Sequence, residues 1–206
     1  MSGEIELDEG AGTPVWAAFG DLMSVLLGAF VLILVGVIAV QLQLSSKLDE
    51  EAHRRQALEQ ALAGPLAAGR VTLVDGRIGI RGNVLFALNS DQLQPEGREV
   101  LHSLAAPLRQ YLHARDEVLM VSGFTDDRPI HDDNLHYTDN WELSAQRALT
   151  VTRTLIAEGV PASSVFAAAF GSEQPVASND DAEGRARNRR VEIAPMPRPS
   201  KTAATP

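Results

Sequence analysis

The sequence predicts an α/β protein in two parts: a single N-terminal transmembrane helix, then a compact domain in which a mixed sheet packs against helices. Three observations predict it. Leu22–Val40 is a run of 19 uncharged, largely apolar residues, about 30 Å long as a helix and so matched to a bilayer core. From Arg70 onward, short runs rich in Val and Ile alternate with segments whose apolar residues recur at helical spacing, the pattern of a sheet covered by helices on one face. Gly64, Pro65 and Gly69 mark the change from one regime to the other.

The elements follow in order. Residues 1–14 form an acidic tail with Glu4, Glu6, Asp8 and Glu9, and no apolar periodicity. The membrane helix is expected over 15–40, where Asp21 is the only charge. A cleaved signal peptide does not fit, because no basic residue precedes the apolar run and the run is too long for an ordinary signal. A linker with helical composition is expected over 41–69, with Leu44, Leu48, Leu58 and Leu62 spaced among charges. As one helix Gln41–Ala63 would span about 35 Å.

The folded domain is expected over 70–194. Val71–Val74 and Ile78–Ile80 flank Asp75-Gly76 and read as a hairpin. Val84–Ala87 reads as a short extended segment. Pro95 suits a first helical turn, and Val100, Leu101, Leu104, Leu108 and Leu112 lie on one helix face. Val118–Phe124 reads as a buried strand. Trp141–Ala157 reads as a second amphipathic helix, closed by Gly159 and Pro161. Strands are expected at Val165–Phe170 and Arg190–Ala194, and a disordered tail at 195–206.

Composition narrows the function classes. The net charge of −9 argues against a nucleic-acid partner, which would need a basic face. With no cysteine, disulfides and thiolate metal sites are excluded. No nucleophile motif and no cofactor motif is found, so nothing points to an enzyme. His131, Asp132, Asp133 and His136 are potential metal ligands, but the segment reads rather as a solvated loop before the second helix, and no metal is expected. Arg185, Arg187, Arg189 and Arg190 form a basic run on an acidic chain.

Asp21 is the first candidate functional residue. An ionised carboxylate in a membrane helix costs about 2.5–3.5 kcal/mol near the centre. Such a group normally faces a protein partner or a water-filled path, and burial there favours reversible protonation. One reading makes Asp21 an ion carrier. The other starts the helix at Leu22 and leaves Asp21 at the interface.

Two resemblances add to this. Pro14-Val15-Trp16-Ala17-Ala18-Phe19-Gly20-Asp21-Leu22-Met23-Ser24, with the apolar run after it, resembles the membrane segment of MotB-type stator subunits. That resemblance implies an ion-binding carboxylate at Asp21, two copies of the chain, and a ring of MotA/TolQ/ExbB-like multi-span partner subunits. Protons are the default ion, with sodium as the alternative.

The second resemblance covers about residues 70–194. Asn83–Ser90 with Pro95 and Gly97, then Gly123-Phe124-Thr125-Asp126-Asp127-Arg128-Pro129-Ile130, Asn140-Trp141-Glu142-Leu143-Ser144-Ala145-Gln146-Arg147, Phe170-Gly171-Ser172-Glu173 and Asn188-Arg189-Arg190 resemble an OmpA-like peptidoglycan-binding domain. It implies a mixed α/β sandwich that grips the diaminopimelate stem peptide. Asp126 and Arg147 would take its ammonium and carboxylate, and Thr125, Asn140 and Leu143 would line the same pocket. A guanidinium suits a carboxylate because it offers two parallel hydrogen bonds. Read from the residues alone, Asp126 and Arg147 suit an ion pair tying a strand to a helix better than a binding site.

The expectation is therefore a peptidoglycan-anchored, ion-conducting stator subunit of the bacterial inner membrane, with its C-terminal domain in the periplasm. The alternatives are a passive tether from inner membrane to wall, and a non-flagellar motor subunit of the Zorya type. Two features depart from the flagellar pattern. Lys47, Arg54 and Arg55 follow the apolar run while no Lys or Arg precedes it, so the positive-inside count opposes the orientation that a wall-binding domain requires. A plug helix would also have to fit within Leu44–Leu62.

Overall fold

The computed structural model describes residues 15–87, 89–130 and 136–198. The acidic tail 1–14, the His131, Asp132 and Asp133 positions and the segment 199–206 lie outside the described residues. The chain divides into two units, 1–52 and 53–206.

In the first unit the described residues are all helix α1, which runs unbroken from Val15 to Ala61 across the division. Its apolar stretch is exposed throughout in the chain alone, from Trp16 and Phe19 to Ile38 and Val40. It is long and apolar enough to cross a membrane. Asp21 sits two turns inside the helix, with the Ser24 hydroxyl donating to the Gly20 carbonyl at 2.8 Å one turn along. The helix therefore does not begin at Leu22.

The second unit is a five-stranded sheet with helices packed on one face. After a short helix α2 (Ala63–Ala67), β1 (Thr72–Val74) and β2 (Arg77–Arg81) form the expected hairpin. Its turn holds Asp75 and Gly76 both at positive φ, 50° and 73°. That is the geometry which matches a two-residue turn to the twist of the strands, and Asp-Gly tolerates it. Then come α3 (Gly82–Leu85), α4 (Pro95–His113), β3 (Glu117–Phe124), α5 (Asn140–Ala157), β4 (Val165–Ala169), α6 (Ala182–Asn188) and β5 (Arg190–Pro197). The strand order is β1-β2-β5-β3-β4, antiparallel throughout except for β3 with β4.

Alternation along the strands decides which face is covered. Ile78, Ile80, Leu119, Val121, Val191 and Ile193 point into the core, where they meet Val100, Leu101, Leu104 and Leu108 of α4 and Ala148, Val151 and Leu155 of α5. Between them on the strands stand Arg77, Arg190 and Glu192, which pair with one another on the open face.

Four expectations are corrected. The linker is shorter than 41–69, because Leu58 and Leu62 are fully buried in the domain core and Arg54 pairs with the buried Glu117 at 2.9 Å. The compact unit begins at His53 rather than residue 70. Residues 84 and 85 are helical instead of extended: Gly82 donates its N–H to the Arg189 carbonyl at 2.8 Å, and a Cβ on it would stand 2.9 Å from that oxygen. The chain turns in a space only glycine fits, and extended backbone resumes at Phe86, which bridges to Leu93.

The tail does not begin at 195. β5 continues through Pro197 against β3, and Arg198 pairs with Asp116. The Arg198 N–H donates to the Asp116 carbonyl, so even-numbered residues of β5 point their backbone groups at β3. Pro195 and Pro197 face the other way, where β2 has already ended at its Ile78–Ile193 pair. No ladder bond is lost there, which is why a strand can hold two prolines. Helix α6 was not expected at all.

Candidate functional site

The site is built at the C-terminal end of β3, where the chain leaves the sheet. Gly123 makes it possible: a Cβ there would stand 2.1 Å from the Ser144 carbonyl, so strand β3 and helix α5 touch backbone to backbone. Ser144 locks the contact by accepting from the Gly171 N–H at 3.0 Å and donating to the Trp141 carbonyl. Thr125, the next residue but one after Gly123, donates its N–H to the Gly171 carbonyl at 2.8 Å. Thr125 and Asp126 are thereby held just past the strand end, beside the start of α5.

The start of α5 is capped from within. The Asp139 carboxylate accepts the Glu142 N–H at 2.8 Å, and the Glu142 carboxylate accepts the Thr138 N–H, satisfying donors that the first turn leaves open. Asn140 donates from Nδ2 to the carbonyls of Arg128 (2.9 Å) and Asp126 (3.3 Å), stitching the loop after β3 to the helix. Residues 140, 143 and 147 follow one another down one face of α5.

A cavity of about 290 Å³ opens between these elements. Thr125, Asp126, Asn140, Leu143 and Arg147 all line it, together with Asn89, Arg128 and the α6 residues Ala182 and Arg185, and with Arg189 just beyond α6. The five domain residues singled out in the sequence thus meet in one place. Asp21 belongs to the other unit.

The pairing within the cavity differs from a simple Asp126–Arg147 bridge. Asp126 is paired with Arg189 across 63 residues of sequence. Arg147, only 5% exposed, donates its Nε to the Ser90 carbonyl at 2.9 Å and lies 5.3 Å above the Phe86 ring. Its two terminal nitrogens have no hydrogen-bond partner among the described residues. Burial lowers its pKa to about 10, and the nearby Arg189 charge pushes the same way while Tyr137 and Asp126 oppose it. The guanidinium remains charged at neutral pH, largely desolvated and without an ion pair among the described residues. Thr125 adds a buried hydroxyl with no partner among the described residues. An unpaired buried polar group costs free energy, so the Thr125 hydroxyl, beside the unused terminal nitrogens of Arg147, suits a site that completes its bonds with a ligand.

Sequence reading did not single out Arg189 or Arg185 within the basic run, one member of which the resemblance brings toward the pocket, and it missed Arg128. The first two stand four residues apart in a basic run that shows no apolar periodicity, and only their i,i+4 spacing hinted that they share a helix face. Arg190, next along, turns to the open face of the sheet, where it lies 3.8 Å over the Phe124 ring and pairs with Glu192.

The OmpA family model matches residues 85–189. The chain belongs to the OmpA family. Its OmpA domain is similar to the cell wall anchor of the type VI secretion system from Pseudomonas aeruginosa, at 38% identity and a TM-score of 0.59 over 66% of this chain and 94% of that one. It is similar to a MotB-like protein from Desulfovibrio vulgaris, at 28% identity and a TM-score of 0.62 over 73% of this chain and 96% of that one. The peptidoglycan-binding protein ArfA of Mycobacterium tuberculosis is 35% identical over 136 residues, which are 65% of this chain and 39% of that protein. The chain spans about half or less of the length of the curated relatives it matches.

Proposed function

We infer that this chain is the wall-gripping, single-span subunit of an ion-driven stator, with its OmpA domain holding peptidoglycan in the periplasm. The observation that carries the wall-gripping role is the Arg147 guanidinium, buried at the cavity wall with its terminal nitrogens unused. A stem peptide carboxylate supplies what it lacks, two acceptors in one plane. Asp126 and the Thr125 hydroxyl stand on the same wall for the ammonium and amide groups beside that carboxylate.

The motor half of the reading rests on Asp21. Two turns inside an apolar helix, a carboxylate is stable only against a partner subunit or a water path. A MotA/TolQ/ExbB-like ring around two copies of the helix supplies such a place. A proton crossing 100 mV releases about 2.3 kcal/mol, enough to bias one conformational step per protonation. The likeness to a cell wall anchor favours a second reading, a tether that holds an inner-membrane machine to the wall without passing ions.

One substitution separates the two. Asp21→Asn, expressed with the multi-span partner, is expected to abolish ion-driven work while the chain still inserts and still sediments with sacculi. An Asp21→Asn protein that drives its partner complex as the wild type does would sink the stator reading and leave the tether.

A further inference from the structure

We propose that the cavity selects its ligand by carboxylate count: it takes stem peptides whose carboxyl groups are free acids and discriminates against stems in which they are amidated. This rests on reading the cavity as a peptidoglycan site and goes on to specify which chemical form of peptidoglycan it holds.

The ground for it is a charge imbalance confined to the cavity. Among the described residues, four guanidinium groups, those of Arg128, Arg147, Arg185 and Arg189, line it against one carboxylate, that of Asp126. On a chain with a net charge of −9 this surplus is local and runs against the average. Arg189 is spent on Asp126. The other three have no carboxylate at ion-pair distance among the described residues.

How two of these three are held matters more than their number. Arg147 gives Nε to the Ser90 carbonyl, and Arg185 gives one terminal nitrogen to the carbonyls of Asn179 and Asp180. Both are fixed by neutral acceptors, so each is oriented without being neutralised. The third, Arg128, stands exposed at the mouth. Its backbone is held by Asn140, and its side chain has no hydrogen bond or ion pair among the described residues. Asp91, whose charge reaches Arg147, is engaged with the Tyr137 hydroxyl at 2.6 Å.

A diaminopimelate tetrapeptide stem carries three carboxylates: the α-carboxyl of its γ-linked glutamate, the free carboxyl of diaminopimelate and the chain terminus. It carries one ammonium. The three guanidinium groups without an ion pair among the described residues match those three carboxylates in number. Amidation replaces an anionic acceptor with a neutral carboxamide, whose NH2 turns a donor toward a wall of donors. It removes the charge-assisted bond and, at the buried Arg147, leaves a desolvated guanidinium without its partner, the more expensive half of the loss.

The test titrates the full chain in detergent with three soluble muropeptides: the free-acid tetrapeptide, its glutamate-amidated form and its diaminopimelate-amidated form. Each amidation is expected to weaken binding about tenfold, as for the loss of one charged hydrogen bond. Arg128→Gln and Arg185→Gln should weaken the free acid and narrow its advantage, and Arg185→Lys should restore it. Arg128 is exposed, so Arg128→Gln carries the test if Arg185→Gln does not fold. Equal affinity for free and amidated stems would overturn the selectivity while leaving wall binding in place. An advantage untouched by both Gln variants would overturn its assignment to these arginines. Binding of none of the three would overturn the peptidoglycan reading beneath it.

Discussion

Replacing Arg147 with Met is the most direct probe of the cavity. Met keeps an unbranched stem against Phe86 and removes only the guanidinium. Two losses follow, and the structure separates their sizes. Within the fold, the Nε bond to the Ser90 carbonyl disappears, a net loss of about 1 kcal/mol, along with a ring contact worth about 0.5–2 kcal/mol. Removing a charge that is 95% buried offsets part of this, since burial already disfavours the charged form. The net change in stability is therefore small. For the ligand, the terminal nitrogens have nothing else to bind, so a bidentate contact with a carboxylate is lost outright. Charged hydrogen bonds are worth about 1.5–3 kcal/mol each way of counting, or roughly 10- to 150-fold in Kd. The assay is co-sedimentation with purified sacculi across a concentration series, with thermal unfolding of the same preparations alongside. Arg147→Lys, which keeps the charge but not the fork, should fall between wild type and Arg147→Met. If Arg147→Met lowers Tm yet binds sacculi with unchanged affinity, the arginine is a brace for the Ser90 loop and the reasoning fails.

Two further outcomes test the fold around the site. Leu62→Ala, at a position with no exposure, should cost about 3 kcal/mol and lower Tm by roughly 10 °C, whereas Leu48→Ala, at a position 58% exposed, should leave Tm where it is; equal shifts would place the domain boundary wrongly. In an alkaline titration followed by phenolate absorbance, neither of the two tyrosines should ionise near pH 10. Tyr137 is pushed up to about 12, first by burial and then by its bond to Asp91, and Tyr111 is raised further, by burial and by its bond to Glu117. Because the folded values lie above the unfolded value, their contribution to stability is whole below pH 10 and is lost as pH climbs toward 12. Asp91→Asn should bring the Tyr137 transition down, and a phenolate signal at pH 10 in the native protein would contradict the burial of both rings.

What the sequence revealed, and what it did not, follows the range of the interactions. The hairpin was legible because Asp75-Gly76 encodes its own turn. Helix α4 was legible because Val100, Leu104 and Leu108 repeat a periodicity that needs no partner to be read. The lining residues Thr125, Asp126, Asn140, Leu143 and Arg147 were found through family-like blocks, each only a few residues long. What escaped depended on tertiary contact. Leu58 and Leu62 look like any leucines on a charged helix until the core into which they are inserted is known. The partner of Asp126 lies far along the chain, and nothing in the spacing favours Arg189 over Arg147. Helix α6 is built on an Asp181 cap that accepts the Gly184 N–H, with arginines rather than leucines on its faces, so an apolar periodicity was never there to detect.

The two prolines at the end of β5 have a consequence outside the domain's own stability. Past Ile193 that strand has no neighbour on one side, and an open strand margin is an invitation for another polypeptide to add itself, the usual first step toward fibrous aggregates. Pro195 and Pro197 withdraw the donors from that margin while the opposite side stays bonded to β3. Each proline leaves a carbonyl but no N–H on that border, so an incoming strand finds half of its ladder missing.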